Sequence, residues 1–370
     1  MTSAGALDGI VVADFSRVLA GPYATMMLAD FGAEVIKIER PGSGDDTRAW
    51  GPPFDADGQA TYFNAVNRNK RSVLLDLHSA EGVAQARDIV RGADIVVENF
   101  RVGTMERMGL GYEDLRAIRP GIIYCAITGF GSGGGAGMAG YDLLAQAVGG
   151  LMSITGPEPG VPTKVGVAVV DVLTGLHALC GILAALHHRN VTGQGQKVET
   201  DLLSTLLSSL VNQSSAYLGA GVVPGILGNR HPSIAPYEVF PTADRPLVLA
   251  VGNDKQFGAL LRVLGCEHLA ASELYLDNKS RVANRGTLFA ELSERLTTRG
   301  CDEWFAILTE IGVPAGPIND IDQAFELAKR LGLDATVDIA GSAAPQVANP
   351  VTMSLTPPRY YLAPPRLGDE

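Results

Sequence analysis

The sequence predicts an α/β protein, with a doubly wound large domain on a parallel sheet and a smaller α/β domain behind it. Three observations predict this. Short β-branched and aliphatic runs alternate with helical stretches at the spacing of a βαβ unit, roughly 30 residues. The loops behind these runs are polar and glycine-rich, with 44 glycines in 370 residues. A composition of 46% hydrophobic and 19% charged residues suits a compact chain with a large core and excludes a disordered or fibrous one.

In chain order, 9–15 (GIVVADF) reads as a strand, Gly21-Pro22 opens a helix carrying Met26, Met27 and Leu28, and Gly32 stops it before a strand at 34–39. The rhythm returns with a strand at 72–77, a helix at 80–90 and strands at 94–98 and 121–128. The stretch 164–197 organises the rest. In it, Val172, Leu176, Leu179, Leu183 and Leu186 recur at helical spacing on one face, while Gly175, Ala178, Gly181 and Ala185 keep the other faces thin. Asp171 marks the start of this helix, which reads as buried, and Arg189 with Thr192-Gly193 marks its end. A strand at 196–200 and a second apolar helix at 201–218 follow, then a Gly/Pro-rich connection at 219–244. The smaller domain reads as a strand at 247–251, helices at 254–264, 285–298 and 302–310, the stretch VPAGPIND at 313–320 and a helix near 321–330. The proline-rich tail from about 335 reads as returning to the first domain. The expected division is therefore 1–205 with 335–370, a helix and linker at 206–245, and 246–334.

A net charge of −11 without a basic tail argues against nucleic acid as partner. Cys125, Cys180, Cys266 and Cys301 are widely spaced, and the six histidines show no metal-ligand spacing, so buried thiols in the cytoplasm and no metal site are expected. No membrane span or signal segment is expected, because each apolar stretch is interrupted by polar residues. Successive loops carry Arg40, Arg48, Arg68, Lys70, Arg71, Arg101 and Arg107 toward the carboxyl edge of the sheet; each alone reads as a solvated surface charge, and their recurrence in successive loops points to a ligand bearing phosphates. The first strand lacks a following GxGxxG, and the glycine run at 131–137 lacks GKS or GKT, so no dinucleotide or nucleoside triphosphate site is expected and the run reads as flexible. Asp171 has two readings. It is an N-cap, or it is a carboxylate held ionised by the helix start for use as a nucleophile or base.

Several stretches together resemble the class III CoA-transferases, the family that includes carnitine CoA-transferase, formyl-CoA transferase and α-methylacyl-CoA racemase. They are DFSRVLAGPYATMMLADFGAEVIKIERPGSGDDTR, NRNKRSVLLDL, DIVVENF with ERMGLGYEDL, VVDVLTGLHALCGILAALHHRNVTGQGQKVE, HPSIAPYEVF, VPAGPIND and PPRLGDE. The resemblance implies a Rossmann-like large domain and an interlocked homodimer. It implies Asp171 as nucleophile, passing through an anhydride and an aspartyl-CoA thioester, with acyl-CoA and a small carboxylic acid as substrates and no permanently bound cofactor. Helix-start or glycine-loop amides would stabilise the oxyanions. It also implies CoA contacts from Arg40, Leu75, Asn99, Phe100 and Arg107, with His78 where some relatives carry lysine.

The racemase branch carries His-Asp where this chain has Tyr141-Asp142. A phenol titrating near ~10 is a poor base at neutral pH, so an isomerase acting at the α-carbon is the alternative and a non-catalytic CoA-binding protein the second alternative. The glycine loop of formyl-CoA transferases has no counterpart between APYEVF and PTADRPLVLA. ERPGSGDDTRAWGPPF, AGYDLLAQAVGGLMSITGPE and HPSIAPYEVF look most like members of the succinyl-CoA:glutarate type, which exchange CoA between dicarboxylates. Arg17, Tyr141, Arg230 and His231 are the candidates around the acid, with a cation among them for its distal carboxylate.

Overall fold

The computed structural model describes residues 5–369; Met1–Ala4 and Glu370 lie outside the described residues. In chain order the regular elements begin with β1 (Val11–Asp14), α1 (Ala20–Asp30), β2 (Glu34–Glu39), α2 (Thr61–Asn64), β3 (Lys70–Leu74), α3 (Ala80–Gly92), β4 (Ile95–Glu98), α4 (Thr104–Arg107), α5 (Tyr112–Ile118) and β5 (Ile123–Thr128). There follow α6 (Asp142–Val148), α7 (Leu151–Ile154), α8 (Val169–Thr192), β6 (Lys197–Asp201), α9 (Leu202–Ser209) and α10 (Asn212–Ala220). By internal contacts the chain forms two compact units: residues up to 152, 164–224 and from 332 onward in one, and 153–163 with 225–331 in the other.

The large unit is built on six parallel strands in the order β3-β2-β1-β4-β5-β6, so the order reverses between β1 and β4. Alternate side chains along these strands bury both faces of the sheet. Val12, Ile95, Val97, Ile123 and Ile127 pack on α1 and α8, while Ala13, Phe15, Val96 and Tyr124 pack on α3 and α5. The third strand begins two residues earlier than 72–77, because Lys70 and Ser72 pair with Val35 and Lys37 and point their side chains inward.

The central helix departs from expectation in its facing. Val170, Thr174, Gly175, Ala178, Leu179, Ile182, Ala185 and Leu186 form the buried stripe, and Leu183 and Cys180 are exposed. The small residues are the contact face: a Cβ on Gly175 would lie 2.6 Å from the Ala20 carbonyl oxygen of α1. By length and composition α8 is apolar enough to cross a membrane, yet its stripe packs on α1 and the sheet. The expected single helix at 201–218 is two helices, broken at Leu210-Val211, where Val211 takes φ 41°.

The small unit contains β7 (Tyr237–Phe240), β8 (Leu247–Ala250), α11 (Asp254–Val263), α12 (Asn278–Ala283), α13 (Arg285–Leu296), α14 (Cys301–Glu310), β9 (Ala315–Pro317) and α15 (Ile321–Arg330). Its sheet is antiparallel, in the order β7-β8-β9, over a core of Phe240, Leu249, Leu260, Leu292 and Trp304. Two short strands, β10 (Thr336–Val337) and β11 (Gln346–Val347), complete the element list in the returning tail.

Candidate active site

The loops leaving β1 and β4 are tied together where the sheet order reverses, which is where ligands of open α/β sheets collect. The Asn99 amide brackets the main chain of Arg17: Arg17 N–H donates to Asn99 Oδ1 at 2.8 Å, and Asn99 Nδ2 donates to the Arg17 carbonyl at 2.6 Å. Beneath this loop lie buried charges. Lys37 Nζ donates to Asp45 (2.9 Å) and to the Ser16 carbonyl (3.0 Å), and Lys70 Nζ reaches Asp14 (3.2 Å) and Asn67 (3.0 Å). Burial alone would depress Lys37, but Asp45, Asp14 and Glu39 hold it above its ordinary range; Lys70, with burial dominant, is lowered to about 8. Asp45 also accepts Val18 N–H, and Val18 has φ 69°, a strained backbone for a β-branched residue. The turn that aims Arg17 is thus held from below.

Asp171 is the third residue of α8, and the helix start is capped by another carboxylate. Asp142 Oδ1 accepts the N–H groups of Val170 (2.7 Å) and Asp171 (3.2 Å). The N-cap reading of Asp171 is therefore wrong, and so is the expectation that the helix start holds it ionised. Burial first, then the Asp142 charge, push the Asp171 carboxyl up to about 7. The same hydrogen bonds remove these two amides as oxyanion donors.

Asp171 lines a cleft of about 380 Å³ with Arg17, Asn99, Phe100, Arg101 and Tyr141, all from the large unit. The guanidinium of Arg17 lies 4.7 Å over the Phe100 ring and 3.5 Å from Asp46. A smaller cleft of about 170 Å³ joins Arg17, Arg40, Leu75, His78 and Phe100, and a third of about 530 Å³ is lined by His78 and Arg107. The five residues proposed for CoA thus line three clefts along the carboxyl edge of one sheet. Arg230 and His231 do not line these clefts. They belong to the small unit, where Arg230 donates to the Leu227 carbonyl and His231 packs on Tyr237.

Four of the seven basic loop residues already have carboxylate partners from the sheet and its helices, three of them at least partly buried and the fourth, Arg71, exposed. Arg48 forks onto Glu39, Arg68 onto Asp30, Lys70 pairs with Asp14, and Arg71 pairs with Glu34. The loop at 129–140 is pinned and not slack at its base: a Cβ on Gly129 would lie 2.4 Å from Gly140 Cα. Sequence reasoning missed Tyr62, whose phenol burial and the charges of Asp171 and Asp142 hold above its ordinary range. It missed Gln146 too. Nothing local in the sequence marks either. Among the described residues no group of three or more His, Cys, Asp or Glu side chains could hold a metal.

A parallel sheet with an arginine-bearing cleft at its reversal point, and a carboxylate at the head of the central helix, is a doubly wound α/β architecture with a charged ligand site at its switch point. The chain belongs to CoA-transferase family III, whose sequence profile matches residues 7–370, and is an enzyme of that class. It is 46% identical over 372 residues to the succinate–glutarate CoA-transferase of Agrobacterium fabrum, covering 98% of this chain and 93% of that one. It is 44% identical over 320 residues to the human succinyl-CoA:glutarate CoA-transferase, covering 86% and 73%. Among solved structures, a CAIB/BAIF family protein from Brucella suis superposes with a TM-score of 0.89 at 43% identity, covering 99% and 97%.

Proposed function

We propose that this protein moves CoA from a dicarboxylyl-CoA donor such as succinyl-CoA to a second carboxylic acid, with Asp171 as the nucleophile. A half-buried carboxylate facing a cleft that also holds Arg17 is the observation that carries this reading. An Asp171 oxygen attacks the thioester carbonyl, the C–S bond breaks and CoA thiolate leaves, giving a mixed anhydride. The thiolate attacks the aspartyl carbonyl, releasing the donor acid and leaving aspartyl-CoA thioester. The acceptor carboxylate displaces the thiolate, and the thiolate then attacks the acceptor carbonyl and frees Asp171. The activated bond is conserved throughout, so the route needs neither ATP nor metal.

In this reading Arg40, Arg107 and His78 meet the phosphates, Leu75 and Phe100 contact the apolar parts of CoA, and Asn99 shapes the loop it brackets. Arg17 takes the distal carboxylate in exchange for Asp46, and the relatives named for dicarboxylates support that choice. The active form is a homodimer, supported by the apolar residues exposed on α6 and α10.

The test is intact mass after mixing with succinyl-CoA and quenching with hydroxylamine or borohydride. A mass change located at Asp171 and absent from Asp171→Ala is expected; no adduct from succinyl-CoA or from a panel of other acyl-CoAs would end the covalent reading. In the same preparation Arg17→Ala should raise KM for a dicarboxylate far more than for a monocarboxylate, and equal effects would remove Arg17 from the acid site.

A further inference from the structure

The carboxylate beside the nucleophile is held more firmly than a helix cap requires. Asp142 Oδ1 accepts two α8 amides, and Oδ2 accepts Gln146 Nε2 at 2.5 Å. Gln146 is fully buried, and its Oε1 accepts Val165 N–H at 2.9 Å, which leaves only Nε2 to face Asp142. The Val165 contact therefore fixes the amide, the amide fixes the carboxylate, and the carboxylate fixes the backbone of Asp171. The donors in this chain are neutral N–H groups, so none of them neutralises the charge placed next to Asp171.

We propose that Asp142, locked by Gln146, is a positioning residue for CoA transfer whose fixed charge opposes ionised Asp171 in the free enzyme and is relieved once Asp171 is acylated. The proposal rests on Asp171 being the nucleophile. In the anhydride and in the aspartyl thioester the charge has left Asp171, so a neighbouring anion raises the free carboxylate above both covalent states. The same repulsion makes the attacking oxygen more basic. An asparagine would offer the α8 amides an oxygen at the same reach, but without this effect.

Other charged and titratable groups border the same cleft. Arg17, Arg101, Asp46 and Tyr141 line it with Asp171, and the Tyr62 phenol is held above its ordinary range by burial and by the charges of Asp171 and Asp142. Burial first and the Asp142 charge second push the Asp171 carboxyl up to about 7.

Asp142→Asn keeps an oxygen for the α8 amides and removes the charge; Asp142→Ser removes the charge on a shorter side chain. Gln146→Met keeps the charge and removes the lock. The readout is kcat/KM for succinyl-CoA against pH, together with the fraction of enzyme trapped by hydroxylamine at Asp171. Wild type should show an acid limb centred near 7. In the two Asp142 variants that limb should move down by about one pH unit or more, and the trapped fraction should fall. Gln146→Met should lower kcat with the limb in place. A merely structural cap would lower thermal stability and leave the limb at its wild-type position in whichever Asp142 variant folds, and that result overturns the proposal. Absence of any adduct at Asp171 in wild type would instead remove the nucleophile reading on which it rests.

Discussion

Asp171 has an ordinary value of 3.8 when unfolded and titrates near 7 in the folded chain. Between those values the folded state binds the extra proton, so stability falls as pH rises through the window. The penalty is absent below about pH 4 and complete above about pH 7. A rise of about three units corresponds to on the order of 4 kcal/mol, an upper bound for a group that borders a cleft. Asp171→Asn should therefore be more stable than wild type at pH 8, with a higher Tm, and the two should converge near pH 4; an offset constant from pH 4 to 8 would contradict the titration. The sequence marks this residue, since it is the lone carboxylate at the head of a long apolar helix. It does not show which way the charge is pushed, because Asp142, 29 positions earlier, delivers that through the fold.

The strands and helices that the sequence marks are legible because their periods are local, and most lie within a few residues of the expected places; the short helices α2, α4 to α7 and α12 and the strand β7 carry too few turns or residues to show a period. The facing of α8 was not legible: leucines suggest one face, and the face chosen is the one whose Gly175 and Ala178 let α1 approach. NRNKRS misleads for a similar reason. Its charges look like a phosphate-binding loop, whereas Asn69, at φ 61° and almost fully buried, clasps the returning tail. Its Oδ1 accepts the N–H groups of Tyr361 and Leu362, its Nδ2 donates to Asp30 and to the Arg359 carbonyl, and Arg68 reaches the Val347 carbonyl. Asn69→Ala removes four hydrogen bonds, leaves buried groups unpaired and places a Cβ residue without the local asparagine preference at positive φ. A loss of about 3–5 kcal/mol is expected, read as a lower Tm and as limited proteolysis that cuts first in 346–369. Cleavage elsewhere first, with the tail intact, would show that the clasp does not anchor it.

The chain leaves the large unit after 224 and re-enters it at 332, and on that unit apolar side chains stand in water along several elements. Leu218 and Val223 are about four-fifths exposed, and Val211, Tyr217, Val148 and Leu143 are more than half exposed. Single exposed leucines need no explanation, but α6, α10 and the segment after it expose apolar residues together. The outer face of α8 adds Leu183 and Val191 to a helix whose other face is core. In the homodimer proposed above, a second copy would cover this surface by symmetry, since the same patch recurs on it. If the two chains also interlock, dilution cannot separate them, because parting requires one unit to open. Sedimentation and light scattering should then find a dimer at all concentrations down to nanomolar, and denaturant should abolish dimer and tertiary signals in one transition whose midpoint is independent of dilution on the timescale of the experiment. A folded monomer at low concentration would exclude interlocking while leaving an ordinary reversible dimer, whose midpoint would instead rise with protein concentration.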